Sequence, residues 1–290
     1  MRQRQAVQTT AARRKFQSFK KEEPNVTRQA QVHKEPFDRL YAAWEKYLSG
    51  RLHTYNVAEE LVRNIDYSAD DIQKFLISSA DYASSYASIH GHRSVPLIIN
   101  NFASIFIGAA INLGKDTTYE ITVPPYCEDI CIGDANTKNI LLKGNVRNVG
   151  SRMRNGTITI SDAHDLTNIG SDMEGGTIRV TSPCVTAYVG TRMKGGLIIF
   201  SQETAIREGA QIGRYMQGGK IIFEKSCCLL TTGRLFTPEV YLTCFGDHMR
   251  KGKILFKELH GEFRLQNKKG KKGIYIDGEK IMAQGRLKLE

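Results

Sequence analysis

The sequence predicts a mainly β fold: a right-handed, single-stranded parallel β-helix of about seven rungs, with a small α-helical domain before it and a hairpin after it. Three observations predict it. One motif occurs five times: VGSRMRNGTI from Val149, IGSDMEGGTI from Ile169, VGTRMKGGLI from Val189, IGRYMQGGKI from Ile212 and a worn FGDHMRKGKI from Phe245. Its first glycines, Gly150, Gly170, Gly190, Gly213 and Gly246, are 20, 20, 23 and 33 residues apart. Most copies run into a short β-branched or apolar stretch such as Thr157-Ile158-Thr159-Ile160, Thr177-Ile178-Arg179-Val180 or Leu197-Ile198-Ile199-Phe200, which suits a strand of four or five residues.

A period near 20 means one supersecondary unit stacked on copies of itself, because a single unit cannot bury its own apolar face. A glycine or glycine pair precedes each strand and supplies a sharp corner. Ahead of that corner stands Met153, Met173, Met193, Met216 or Met249. Stacked rungs lie about 4.8 Å apart, so these methionines form one internal column, and core packing accounts for them better than metal or redox chemistry. A leucine-rich repeat has a similar period but needs an L-x-x-L-x-L strand and an Asn or Cys ladder, and no copy has one.

The V/I-G-x-x-M-x-G-G-x-I motif resembles the GXGXG β-helix domain, found at the C-terminus of the glutamate synthase large subunit and in one of the subunits of formylmethanofuran dehydrogenase. The resemblance extends back to Ile132-Gly133 with Asn139-Ile140-Leu141-Leu142-Lys143-Gly144. A further expected rung lies at Ile107-Gly108-Ala109-Ala110 with Thr118-Tyr119-Glu120-Ile121-Thr122. It implies a positioning element with no catalytic residues to carry over.

Composition divides the chain further. The net charge is +11, yet residues 1–36 carry +6 and residues 250–290 carry +7, which leaves the middle at −2. An electrostatic partner therefore docks at the ends. Four segments follow: a basic tail over 1–35, a helical domain over 36–93, the β-helix over 94–260 and a basic C-terminal hairpin over 261–290. The tail has three open readings: a solvated segment, an arm that orders on nucleic acid or a ribosome through Arg13, Arg14, Lys15, Lys20 and Lys21, and an organellar transit peptide.

In the helical domain, Pro36 opens a helix with Leu40, Ala43, Trp44, Tyr47 and Leu48 at helical spacing, and Gly50 ends it. Asn56 with Glu59 is expected to cap a second helix, and Ser68 with Asp71 a third that carries Ile72, Phe75, Leu76, Ser79, Tyr82, Ala83 and Tyr86. Such a domain caps the open end of a solenoid, which otherwise exposes unpaired strand edges. The uncharged run Ser94–Gly114 reads as a buried transition from the helices to the first rung, since its asparagines and Pro96 are costly in lipid. At the other end, Asp277-Gly278 is a two-residue hairpin turn. Lys268, Lys269, Lys271 and Lys272 lie on a glycine-rich loop that either grips phosphates or stays solvated.

No catalytic constellation is expected. Cys127 and Cys131 have neither zinc nor redox spacing, and they read, with Cys184, Cys227, Cys228 and Cys244, as buried free thiols in a reducing cytosol. His90-Gly91-His92 lacks acidic or cysteine neighbours. Asp162, His164 and Asp165 share a rung corner. There is no phosphate loop, nucleophile elbow or H-E-x-x-H motif. The expectation is a cytoplasmic (or organellar) non-catalytic scaffold for partner proteins, without cofactor, metal, membrane contact or small-molecule substrate. The alternatives are a nucleic-acid- or ribosome-associated protein acting through its basic ends, and a structural subunit of a glutamate-synthase-like or formylmethanofuran-dehydrogenase-like complex.

Overall fold

The computed structural model describes residues 35–90, 95–125, 130–230, 244–265, 273–281 and 285–289, all within the unit Glu35–Glu290. Four helices come first. Helix α1 (Pro36–Ser49) has its proline in the first turn, buries Leu40, Ala43, Trp44 and Tyr47, and ends where Gly50 N–H meets the Tyr47 carbonyl at 3.2 Å. Helix α2 (Tyr55–Val62) starts after Thr54, so Asn56 lies inside it and does not cap it; the chain enters α2 from extended backbone at Thr54. Helix α3 (Ala69–His90) has the expected reciprocal cap: Ser68 N–H donates to Asp71 Oδ2 at 2.9 Å, and Asp71 N–H donates to Ser68 Oγ at 3.3 Å.

Helix α4 (Val95–Leu113) overturns the first half of the earliest expected rung, while its second half, Thr118–Thr122, is a strand of the solenoid. Ile107-Gly108-Ala109-Ala110 is helical, because Ala103, Phe106, Ile107, Ala110 and Ile111 recur at helical spacing on a buried face. Helical structure thus runs to Leu113, past the expected boundary at 93, and the solenoid has about six turns. Trp44 holds the helices together, with ring centroids 5.6 Å from Phe75 and 5.5 Å from Phe106 in edge-on geometry. None of the helices among the described residues is long and apolar enough to cross a membrane.

Two parallel ladders make the solenoid. The first stacks β1 (Thr118–Thr122), β3 (Asn139–Lys143), β5 (Thr157–Ser161), β7 (Thr177–Val180), β9 (Leu197–Phe200), the start of β11 (Lys220–Leu230), the start of β13 (Lys253–Leu265) and β14 (Gly273–Ile276). The second stacks β2 (Cys131–Ile132), β4 (Asn148–Val149), β6 (Asp165–Ile169), β8 (Cys184–Val189), β10 (Thr204–Ile212) and β12 (Cys244–Phe245). Strands β11 and β13 are long enough to turn the corner and pair in both.

Register sorts the core into columns, because the side chains of a strand alternate between its two faces. Ile140, Ile158, Ile178, Ile198, Ile221, Ile254 and Ile274 lie in line inside the first ladder. Beside them Phe200, Phe223 and Phe256 stack nearly parallel at 4.7 Å centroid spacing. The second ladder contributes Ile132, Val149, Ile169, Val189, Ile212 and Phe245, all essentially inaccessible. Each such side chain contributes roughly 1.5–3 kcal/mol by leaving water.

The first turn is closed by helix side chains. Gln73 on α3 donates from Nε2 to the Thr122 carbonyl at 2.9 Å and accepts the Thr122 N–H at 2.8 Å, taking the place of a neighbouring strand. Ser104 Oγ accepts the Cys131 N–H, and Asn112 pairs with Thr137 N–H and the Ala135 carbonyl. At the far end β14 turns through Asp277 (φ 47°) and Gly278 (φ 78°) into β15 (Glu279–Lys280), and β16 (Gly285–Leu289) pairs antiparallel with Gly261–Leu265. The left-handed Asp-Gly pair is what the sequence calls for in such a hairpin.

Candidate interaction surfaces

The repeat residues are all used internally. Gly150, Gly170, Gly190, Gly213 and Gly246 have φ between 64° and 69°, and a Cβ on Gly170 would meet Ile198 Cδ1 at 2.6 Å. Met153, Met173, Met193, Met216 and Met249 are wholly inaccessible. The first glycine of the pair is held by close approach: a Cβ on Gly195 would lie 2.3 Å from the Glu174 carbonyl of the preceding turn.

The position just before each methionine was missed in the sequence. Arg152, Asp172, Arg192, Tyr215 and His248 all adopt left-handed backbone with φ between 51° and 56°. Among them, Arg152, Asp172, Arg192 and Tyr215 each donate the N–H to a carbonyl one turn ahead, on Ser171, Thr191, Arg214 and Asp247, at 2.7–2.8 Å. That bond holds the strained conformation. No single residue type fills the position in all five copies, so only the backbone carries the signal.

Outside, these positions form a polar ladder. Arg192 makes a two-pronged contact to Asp172 at 2.8 and 2.6 Å, and Arg152 does the same to Asp134. The Arg192 hydrogen bonds hold the Asp172 carboxyl below the usual range. Tyr215 stacks on His248 with 4.9 Å between centroids, and the Arg214 guanidinium lies over the Tyr215 ring. Asp134 with Arg152, Asp172 with Arg192 and Glu174 with Lys194 are paired from turn to turn on this edge. Asn168 likewise donates to Asn148 at 2.8 Å on the second ladder.

A groove of about 480 Å³ crosses the second ladder, lined by His164, Pro183, Cys184, Val185, Glu203, Thr204, Ala205, Ser226 and Cys228. Small outward residues, Val185 and Ala205 in register, make its floor. Its reactive groups stand on different turns: His164 precedes β6, Glu203 precedes β10 and Cys228 is in β11. His164 and Cys228 are three turns apart, about 14 Å at the usual strand spacing. No proton passes directly over that distance. Asp165 does not join Asp162 and His164 in a trio; its carboxylate takes Arg207, two turns on, at 2.5 Å. Of the thiols expected to be buried, Cys184 and Cys227 are, Cys131 and Cys244 are half-buried, and Cys228 is exposed because it lies on the outward side of β11. Burial pushes the Cys184 thiol up to about 12 and that of Cys227 up as well, so both stay protonated. Among the described residues no three His, Cys, Asp or Glu side chains come together as a metal site.

The outward side of the first ladder changes character along the axis. Its central column reads Glu120, Leu141, Thr159, Arg179, Ile199, Ile222, Leu255 and Tyr275. Arg179 reaches past Ile199 to Ser201 at 2.7 Å and to Glu224 at 3.5 Å, and Ile199 is only 4% exposed. Lys220 and Lys253 stand in register beside the column, with Lys253 Nζ 5.6 Å from the Tyr275 ring centroid. Sequence reasoning missed this surface, although the runs Leu197–Phe200 and Ile221–Phe223 hold its signal: they lack the polar alternation of a half-exposed strand. The cations expected to bind nucleic acid, Arg13, Arg14, Lys15, Lys20, Lys21, Lys268, Lys269, Lys271 and Lys272, lie outside the described residues, as do Cys127, Gly91 and His92.

Comparison of the chain with protein-family models, with curated proteins and with solved structures gave no match.

Proposed function

We propose that this chain is a non-catalytic scaffold that holds partner proteins on the outer faces of its solenoid. The observation that carries the reading is the assignment of the repeat itself. Its glycines are corners, its methionines are core, and Asp172, Glu174, Arg192 and Lys194 between them are paired from turn to turn. The groove adds to it, since its His164 imidazole and Cys228 thiol stand three turns apart. The GXGXG resemblance points the same way and suggests a structural subunit beside the catalytic parts of a glutamate-synthase-like or formylmethanofuran-dehydrogenase-like complex. Co-purification from native cells tests the reading: a second polypeptide in fixed ratio supports it, and a lone chain contradicts it.

A second reading has its own observation, the concentration of +6 and +7 at the two ends of a nearly neutral body. In it the ends bind RNA or a ribosome and the solenoid is a rigid spacer. RNA affinity across a salt series tests it: deleting residues 1–36, or reversing charge at Lys268, Lys269, Lys271 and Lys272, lowers the salt slope if the ends make the phosphate contacts. An unchanged slope in both variants overturns it.

A further inference from the structure

We propose that the outward stripe Ile222–Leu255–Tyr275 on the first ladder docks a partner protein through an apolar segment bordered by aspartates and glutamates. The inference rests on the scaffold reading and names its surface and the chemistry of its partner.

The strand pattern comes first. In β5 the residues alternate, with Ile158 and Ile160 inward and Thr157, Thr159 and Ser161 outward. Three of the later strands abandon that alternation. In β9 both Leu197 and Ile199 face outward, in β11 Ile222 does, and in β13 Leu255, while Ile198, Phe200, Ile221, Phe223, Ile254 and Phe256 fill the inside. Strands that are apolar on both faces belong to sheets covered on both faces. Part of the cover is intramolecular, since Arg179 arches over Ile199 to Ser201 and Glu224. The arch stops at Glu224. Ile222, Leu255 and Tyr275 continue the column beyond it and remain half-buried.

Charge then selects the occupant. Lys220 and Lys253 are exposed and directly in register, an arrangement of like charges that opposes sheet stability. Lys257 borders the other side of the stripe. Among the described residues no carboxylate pairs with Lys220, Lys253 or Lys257, whereas Asp172 and Glu174 on the neighbouring edge are paired with Arg192 and Lys194 one turn on. A partner with carboxylates on both sides of an apolar strip neutralises the three lysines and covers the stripe together. The chain's own first 36 residues carry +6, the wrong sign to neutralise this border. A second copy docked through the same face sets lysine against lysine. Single-stranded RNA is held by stacking successive bases on several aromatic rings, and the stripe offers one, Tyr275, with aliphatic Ile222 and Leu255 beside it.

The test uses the full-length chain expressed in its native cells, with a benzophenone photo-crosslinking side chain in place of Leu255 and, in a control, in place of Thr159 on the same ladder. The expected result is a protein adduct at 255 and none at 159, with the crosslinked peptide containing Asp or Glu on either side of apolar residues. Lys220→Glu, Lys253→Glu and Lys257→Glu together should lower the yield about tenfold or more, with the melting temperature unchanged. A nuclease-sensitive adduct, an adduct with a second copy of this chain, or a contact peptide lacking acids overturns the proposal. A protein that co-purifies but crosslinks only elsewhere overturns this surface and leaves the scaffold reading standing. If nothing co-purifies, both fall.

Discussion

The terminal methyl of Met173 fills the space that a side chain on Gly196 would need: a Cβ built there would lie 2.6 Å from Met173 Cε. Met153 stands in the same relation to Gly176 and Met193 to Gly219, also at 2.6 Å. Methionine and glycine therefore recur together because each turn's methionine seats under the next turn's glycine. Gly196→Ala places a Cβ at φ +86° against that methyl, and the strain and overpacking together should cost roughly 2–5 kcal/mol in urea unfolding. Met173→Ala should cost about 2–5 kcal/mol through the cavity it leaves. The double variant should lose less than the sum, because shortening Met173 makes room for the new Cβ. Strict additivity contradicts the pairing.

Gln73 pairs with both backbone groups of Thr122 and so stands in for a missing strand. Gln73→Ala should cost about 1–2 kcal/mol and speed amide exchange at Thr122 selectively. Exchange that rises evenly along the solenoid, or not at all, contradicts the role.

Burial raises the Tyr47 hydroxyl from its ordinary value to about 12, and no partner receives it. The folded state therefore keeps a proton that the unfolded state loses above about pH 10. Stability from this group is complete below pH 10 and declines as pH rises from 10 towards 12. Thermal melts between pH 8 and 11.5 should show Tyr47→Phe declining less steeply than the unaltered protein, with no loss at pH 8.

Phe223 is stacked between Phe200 and Phe256 at 4.7 Å on each side. Phe223→Ala should cost about 3–5 kcal/mol in urea unfolding. Arg192→Ala, on the exposed ladder with Asp172, should cost about 1 kcal/mol or less. The reverse order would place the stability of the solenoid on its surface and not in its stacked core.

Legibility in the sequence followed whether a constraint acts on side-chain type. The corner glycines and the methionine column are restricted to one residue type, so they were readable, as were the Ser68–Asp71 cap and the Asp277–Gly278 turn. The left-handed positions from Arg152 to Tyr215 were not, because a carbonyl one turn ahead holds the backbone and tolerates Arg, Asp or Tyr. Ile107-Gly108-Ala109-Ala110 imitates a corner and a strand in four residues, and only the periodicity of the whole of α4 makes it helical. Gln73 closes the first turn across 49 residues of chain, a relation that no local pattern carries. The stripe at Ile222 and Leu255 was present as unbroken apolar runs, which length and composition alone do not divide into inside and outside.

The most direct test of the scaffold reading is the composition and mass of the material recovered when the full-length chain is purified from its native cells at moderate salt after nuclease treatment. Light scattering coupled to size exclusion should give a mass above that of one chain, with a second polypeptide in constant ratio through the peak. A peak at the mass of a single chain, with no second polypeptide, would contradict the scaffold reading.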